Sequence, residues 1–125
     1  MHELGIITGV VESVSAAAKQ AGATRVYKVS LSVGAMTEAI EDALHFAFDA
    51  ITEDDPLLKG SELDVHIIQP KSRCTVCGHE YEHDRFQQAC PECGGFGRLI
   101  AGRELRIDSI EVETPDDDGK PSSEG

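Results

Sequence analysis

The chain has 125 residues and a formal net charge of -12, with 23 acidic against 11 basic side chains. That length makes one domain, or one domain carrying a small metal-stapled lobe, and with no Trp, four Phe and two Tyr the core must be aliphatic. The negative field argues against nucleic acid and anionic membranes, whose binding needs positive charge to displace counterions.

Apolar runs of only a few residues cannot span a bilayer. No basic segment leads into an apolar one as in a secretory signal, so the cytoplasm is the expected compartment. An acidic surface suits solubility, basic protein partners or cations.

From Glu3 to Ala21 the apolar residues Leu4, Ile7, Val10, Val11, Val14, Ala17, Ala18 and Ala21 recur at steps of three and four. This is one face of a helix, with Gly22 as its C-terminal cap. In "RVYKVSLSVG" Tyr27, Val29, Leu31 and Val33 alternate with Lys28, Ser30 and Ser32, which predicts a half-buried strand ending at Gly34. Thr37 is positioned to cap a second helix, with Glu38 and Glu41 near its positive end. Its apolar face reads Ile40, Ala43, Leu44, Ala47, Phe48 and Ile51.

"TEDDPLLKGS" breaks that helix. A second strand follows through Leu63, Val65 and Ile67 and stops at Pro70. A third, "ELRIDSIEVE", has Leu105 and Ile107 in one phase but Ile110 and Val112 in the other. The slip at Asp108–Ser109 predicts a bulge or strong bend.

Each strand has one apolar face. The expected fold is therefore α+β: a three-stranded sheet with two helices on one face, the first two strands parallel through a right-handed crossover. Residues 71–98, rich in Cys, Gly, His and charge, form a small four-cysteine zinc-ribbon lobe inserted before the last strand. Residues 1–70 with 99–113 make the α/β domain. The acidic, Pro/Ser/Gly-rich stretch 114–125 is expected to be disordered.

All four cysteines fall in two pairs, Cys74-x-x-Cys77 and Cys90-x-x-Cys93, with twelve residues between the pairs. Two residues between thiolates let one tight turn aim both sulfurs at one ion, and Gly78 and Gly94 follow where the wrapping chain needs permissive backbone angles. The pattern predicts a tetrahedral all-thiolate zinc site. Disulfides fit poorly with a chain lacking a signal peptide; iron in a rubredoxin-like centre is the other metal open to this ligand set. Four thiolates leave no open position, so the site is structural, and no catalytic residues are assigned. His79 and His83, between the pairs, are expected to be solvent-exposed loop residues, and surface placement accounts for His45 and His66.

The opening "MHE" has its own chemistry. The bulky His2 favours retention of Met1, so the α-amine, the His2 amide nitrogen and the His2 imidazole can chelate one ion through fused rings. Three coplanar nitrogens suit Ni(II) or Cu(II), and Glu3 can add an oxygen ligand or local negative charge. Both amine and imidazole lose their protons near neutral pH. On residue chemistry alone, an ordinary helix start explains the same three residues.

"MHELGI", "CTVC" and "CPEC" at this spacing, and "GRELRIDSIEVE" together resemble the HypA/HybF family of hydrogenase-maturation nickel chaperones, over residues 1–113. The resemblance implies that His2 is the required nickel ligand, helped by the Met1 amine and Glu3, while Cys74, Cys77, Cys90 and Cys93 hold structural Zn(II). It implies a carrier of transient Ni(II), not an enzyme, serving maturation of [NiFe] hydrogenase and in some members urease. The implied partners are a HypB-type GTPase and the hydrogenase large subunit, with a homodimer left open. The family often reads Gly-Glu-Leu where this chain has Gly34-Ala35-Met36. The alternative is a zinc-ribbon adaptor that binds a protein partner and exchanges no metal.

Overall fold

The structure, a computed structural model, describes residues 3–84, 88–115 and 122–124. In chain order the elements are α1 (Glu3–Gln20), β1 (Arg25–Gly34), a 3-10 turn (Ala35–Thr37), α2 (Glu41–Thr52), β2 (Glu62–Ile68), β3 (Lys71–Cys74), β4 (Glu80–Glu82), β5 (Gly97–Ala101), β6 (Leu105–Glu113) and β7 (Ser122–Glu124).

Two sheets result, ordered β2-β1-β6-β7 and β4-β3-β5. β1 and β2 run parallel, as a strand–helix–strand crossover requires, and β6 pairs antiparallel with the other side of β1. The register between β1 and β6 shifts twice. Asp108 is the extra residue between Ile107 and Ser109, where the hydrophobic phase changes, and Tyr27 is extra between Val26 and Lys28. That second bulge turns Val26 into the core and leaves Tyr27 half-buried, in place of the inward Tyr27 that simple alternation predicts.

One aliphatic core joins both helices to the first sheet. Ile6, Ile7, Val10, Val11, Val14 and Ala18 of α1 and Leu44, Ala47 and Phe48 of α2 pack with Val26, Val29, Leu31, Val33, Leu63, Ile110 and Val112. Leu4, expected on the buried face of α1, is 60 % exposed, and Ile6 takes its place.

α2 begins at Glu41, not after Thr37. Ile40 is its extended N-cap and is 63 % exposed. Thr37 lies in the 3-10 turn, where its hydroxyl donates to the Gly34 carbonyl (2.8 Å) and accepts the Ala39 N–H (3.3 Å). The side chain is thus spent on the turn that precedes the helix.

Where residues 71–98 read as a Cys-rich stretch without strands, the structure places the whole second sheet. It continues to Ala101, past the boundary expected at residue 98. Near the other end, β7 pairs antiparallel with Ile110, Glu111 and Val112 of β6, so part of the stretch expected to be disordered carries a strand.

The two sheets meet where Gly34, Pro70 and Gly102 come together. A Cβ on Gly34 would stand 2.1 Å from the Gly102 carbonyl oxygen, and Gly102 itself has φ +117° and the Pro70 Cα close by. Only residues without a side chain allow this approach. The Gly34 N–H donates to the Glu104 carbonyl (2.7 Å) and the Met36 N–H to that of Gly102 (2.8 Å). The Ala35-Met36 departure from the family pattern therefore falls on the turn that joins the sheets.

Candidate metal centre

β3 ends at Cys74, and a turn closed by the Gly78 N–H on the Cys74 carbonyl (3.1 Å) carries Cys77 back beside it. The second pair repeats the device, with the Gly94 N–H on the Cys90 carbonyl (2.8 Å). Gly78 and Gly94 take φ +79° and +73°, as the spacing predicts. The Thr75 N–H donates across to the Phe96 carbonyl (2.9 Å) and ties the first turn to the segment that follows the second, which the Cys90 N–H closes on the Gly95 carbonyl (3.0 Å).

All four sulfurs lie within 4.8 Å of one another. Cys74 and Cys93 are 3.4 Å apart and Cys77 and Cys90 3.7 Å. A regular tetrahedron with metal–sulfur bonds of about 2.3 Å has edges of about 3.8 Å, so the cluster fits a four-coordinate thiolate ion. Cys74 and Cys90 are buried, Cys77 and Cys93 exposed.

Backbone donors prepare the cluster for negative charge. The N–H groups of Cys77 (3.4 Å) and Val76 (3.3 Å) point at the Cys74 sulfur and hold its thiol down to about 6. At Cys93 the N–H of Gly95 lowers the thiol, but the neighbouring Cys74 and Cys77 sulfurs and burial raise it to about 12. One thiolate forms readily, and its charge then opposes the next. A bound dication relieves that repulsion, so metal binding and proton release are coupled.

Tyr81 covers the cluster from β4. It is buried, its hydroxyl donates to the Gln88 carbonyl (2.5 Å), and it leaves room at position 97 only for glycine. Of the two loop histidines, His79 is exposed and stacks near Tyr81, with ring centroids 6.2 Å apart. His83 departs from expectation. It is half-buried, with Nε2 2.6 Å from the hydroxyl of buried Ser72 and Nδ1 2.6 Å from the Asp84 carbonyl. A carbonyl only accepts, so Nδ1 carries the proton of that hydrogen bond, and Nε2 pairs with the Ser72 hydroxyl. No sequence pattern links a serine eleven positions away to this histidine; the hairpin of β3 and β4 brings them together.

At the other candidate site, Met1 and His2 lie outside the described residues. Glu3 opens α1, and its Oε2 accepts the Ile40 N–H (3.0 Å). This ties the start of α1 to the positive end of α2, whose first turn also carries Glu41 and Asp42. His45 lies one turn along α2, 3.4 Å from Glu41, and His66 is exposed on β2. Among the described residues no helix is long and apolar enough to cross a membrane.

Residues 1–112 match a family described as "HypA: Hydrogenase/urease nickel incorporation, metallochaperone, hypA". A hydrogenase maturation factor HypA of Geobacter metallireducens is 39 % identical over 114 residues, covering 90 % of this chain and all of that protein. One from Caldanaerobacter subterraneus subsp. tengcongensis is 37 % identical over 115 residues with the same coverage. The solution structure of the Ni metallochaperone HypA from Helicobacter pylori superposes with a TM-score of 0.66 at 21 % identity, covering 91 % of this chain and 99 % of that one. With relatives and architecture in agreement, the chain belongs to the HypA family of hydrogenase maturation factors and nickel metallochaperones.

Proposed function

We propose that this protein carries Ni(II) as cargo and delivers it during maturation of [NiFe] hydrogenase, with urease as a second recipient in the same chemistry. The observation that carries the reading is that the family match begins at residue 1, so the Met1-His2-Glu3 tripeptide lies inside it. His2 supplies the required imidazole, the Met1 α-amine a second nitrogen, and Glu3 charge at the start of α1. Few, accessible ligands suit a carrier, because a recipient must be able to displace them.

The four-cysteine cluster has the opposite character, and Zn(II) is the ion proposed for Cys74, Cys77, Cys90 and Cys93. Zinc takes four thiolates tetrahedrally and has no redox chemistry, so it staples the lobe and leaves transport to the amino terminus. The protein acts as a carrier, not a catalyst, in the cytoplasm, with a HypB-type GTPase and the hydrogenase large subunit as partners.

Calorimetry on untagged protein tests the reading. His2→Ala should abolish nickel binding while zinc content stays at one ion per chain, and an extension ahead of Met1 should weaken nickel by removing the α-amine. Unchanged nickel affinity in His2→Ala would sink the assignment.

A further inference from the structure

The second sheet leaves β5 at its border. Ala89 bridges to Phe96 just before the strand, and among the described residues no strand pairs with the outer edge of Gly97–Ala101. Phe96 is 87 % exposed, Arg98 is exposed, and Ile100, the extra residue of a bulge against β3, is 44 % exposed. Gly97 and Leu99 turn the other way, opposite Cys74 and Ser72 of β3. The edge therefore shows solvent an aromatic, a cation and an aliphatic side chain in a row.

The charges on this face do not balance. Arg73 of β3 lies directly opposite Arg98, and like charges facing each other across a strand pair are unfavourable. Glu80 of β4 serves both Arg73 (2.5 Å) and Lys71 (3.5 Å). Among the described residues no carboxylate pairs with Arg98. Arg103 is exposed just beyond the strand, where with Ile100 and Glu104 it walls a groove of about 300 Å³. Glu104 is turned to the Gly102 N–H (2.7 Å). In a chain of net charge -12, this border is a local excess of cation.

A charge alone would only protect an open edge from pairing. Here it stands between two exposed apolar side chains, and the combination selects an occupant. A strand added to β5 makes main-chain hydrogen bonds along the edge, and its alternate side chains lie beside Phe96, Arg98 and Ile100. The complement is apolar, acidic, apolar at every second residue. A basic segment would repeat the Arg73–Arg98 repulsion, and an all-polar one would leave Phe96 in water.

We propose that the outer edge of β5, flanked by Phe96 and Arg103, docks an extended segment of a partner protein in which apolar and acidic residues alternate. The surface belongs to the four-cysteine lobe and is independent of the nickel reading. The net charge of -12 repels an acidic partner at a distance. Physiological salt screens that field beyond about 8 Å, so the arginines act at contact and the affinity is modest.

Heteronuclear NMR of the isotope-labelled, metal-loaded full-length chain tests this with a synthetic peptide, Ser-Leu-Ser-Glu-Ser-Leu-Ser. Saturable shifts are expected at residues 96–103, with a dissociation constant at or below roughly 1 mM. Arg98→Glu should weaken binding at least about tenfold, because like charges then meet. That variant should instead bind the peptide carrying Arg in place of Glu. It also sets opposite charges across from each other at Arg73, so its melting temperature should not fall, and a merely structural role predicts no exchange of peptide preference.

Phe96→Ser changes a side chain already in water and should weaken binding severalfold; it decides the matter if Arg98→Glu fails to fold. An absence of saturable shifts, shifts centred away from residues 96–103, unchanged binding in either folded variant, or an Arg peptide that Arg98→Glu ignores overturns the proposal.

Discussion

The same chemical change, one added methyl group, should have opposite signs at two glycines. At Gly34 the new Cβ would sit 2.1 Å from the carbonyl oxygen of Gly102, 2.2 Å from its carbon and 2.5 Å from the Arg103 nitrogen. All three are backbone atoms, so no side chain can swing away. Relief requires the two sheets to part at their junction, which breaks the Gly34–Glu104 and Met36–Gly102 backbone hydrogen bonds.

Overpacking costs about 1–3 kcal/mol and the two hydrogen bonds about 1–3 kcal/mol together. Gly34→Ala should therefore destabilise by roughly 2–6 kcal/mol, a large part of the about 5–15 kcal/mol that holds a domain folded. Gly9→Ala meets open space on a helix and should instead stabilise by about 0.5–1 kcal/mol, because alanine loses less backbone entropy.

Urea unfolding of metal-loaded protein, followed by far-UV circular dichroism, reads both as midpoint shifts at constant slope. The reasoning fails if Gly34→Ala stays within about 0.5 kcal/mol of the parent, the range of neutral surface changes, or if Gly9→Ala is equally destabilised.

Two further predictions concern protons. Metal in the four-cysteine cluster competes with protonation of its thiolates, so affinity in chelator competition should fall between about pH 7.5 and about pH 5.5, most steeply below about 6, where Cys74 regains its proton; a flat profile refutes the coupling. Asp108 is held below the usual carboxylate range by the Ser32 hydroxyl and then by Arg106. A depressed folded-state value means that its contribution is present above the unfolded value of about 3.9 and is lost as pH falls through the lower folded value. Asp108→Asn removes that contribution, so its stability should decline less steeply than the parent's on acidification below about pH 4; superimposable curves would count against the hydrogen bond.

Local pattern carried much of this protein into view. The helix over residues 3–21, the three long strands, the parallel crossover and the slip at Asp108 follow from period and phase, because burial on one face imposes those periods. The paired cysteines are equally local, since a two-residue gap and a following glycine suffice to form each turn.

What sequence left open depends on contacts between distant segments. The second sheet has strands too short and too polar to show a period, and it forms because the two cysteine turns are drawn together. Ile6 replaced Leu4 in the core and Ile40 was left in solvent because neighbouring elements, not the helical wheel, decide which side is covered. Tyr27 turned aside through a bulge in its partner register. The Gly34–Gly102 contact and the Ser72–His83 pair join residues that no local pattern links. Sequence by itself determined the long helices and strands and the pairing of the four cysteines, because these rest on spacings of a few residues. Tertiary structure alone decided which side chains are buried and which backbones touch, because those outcomes depend on how the elements pack together.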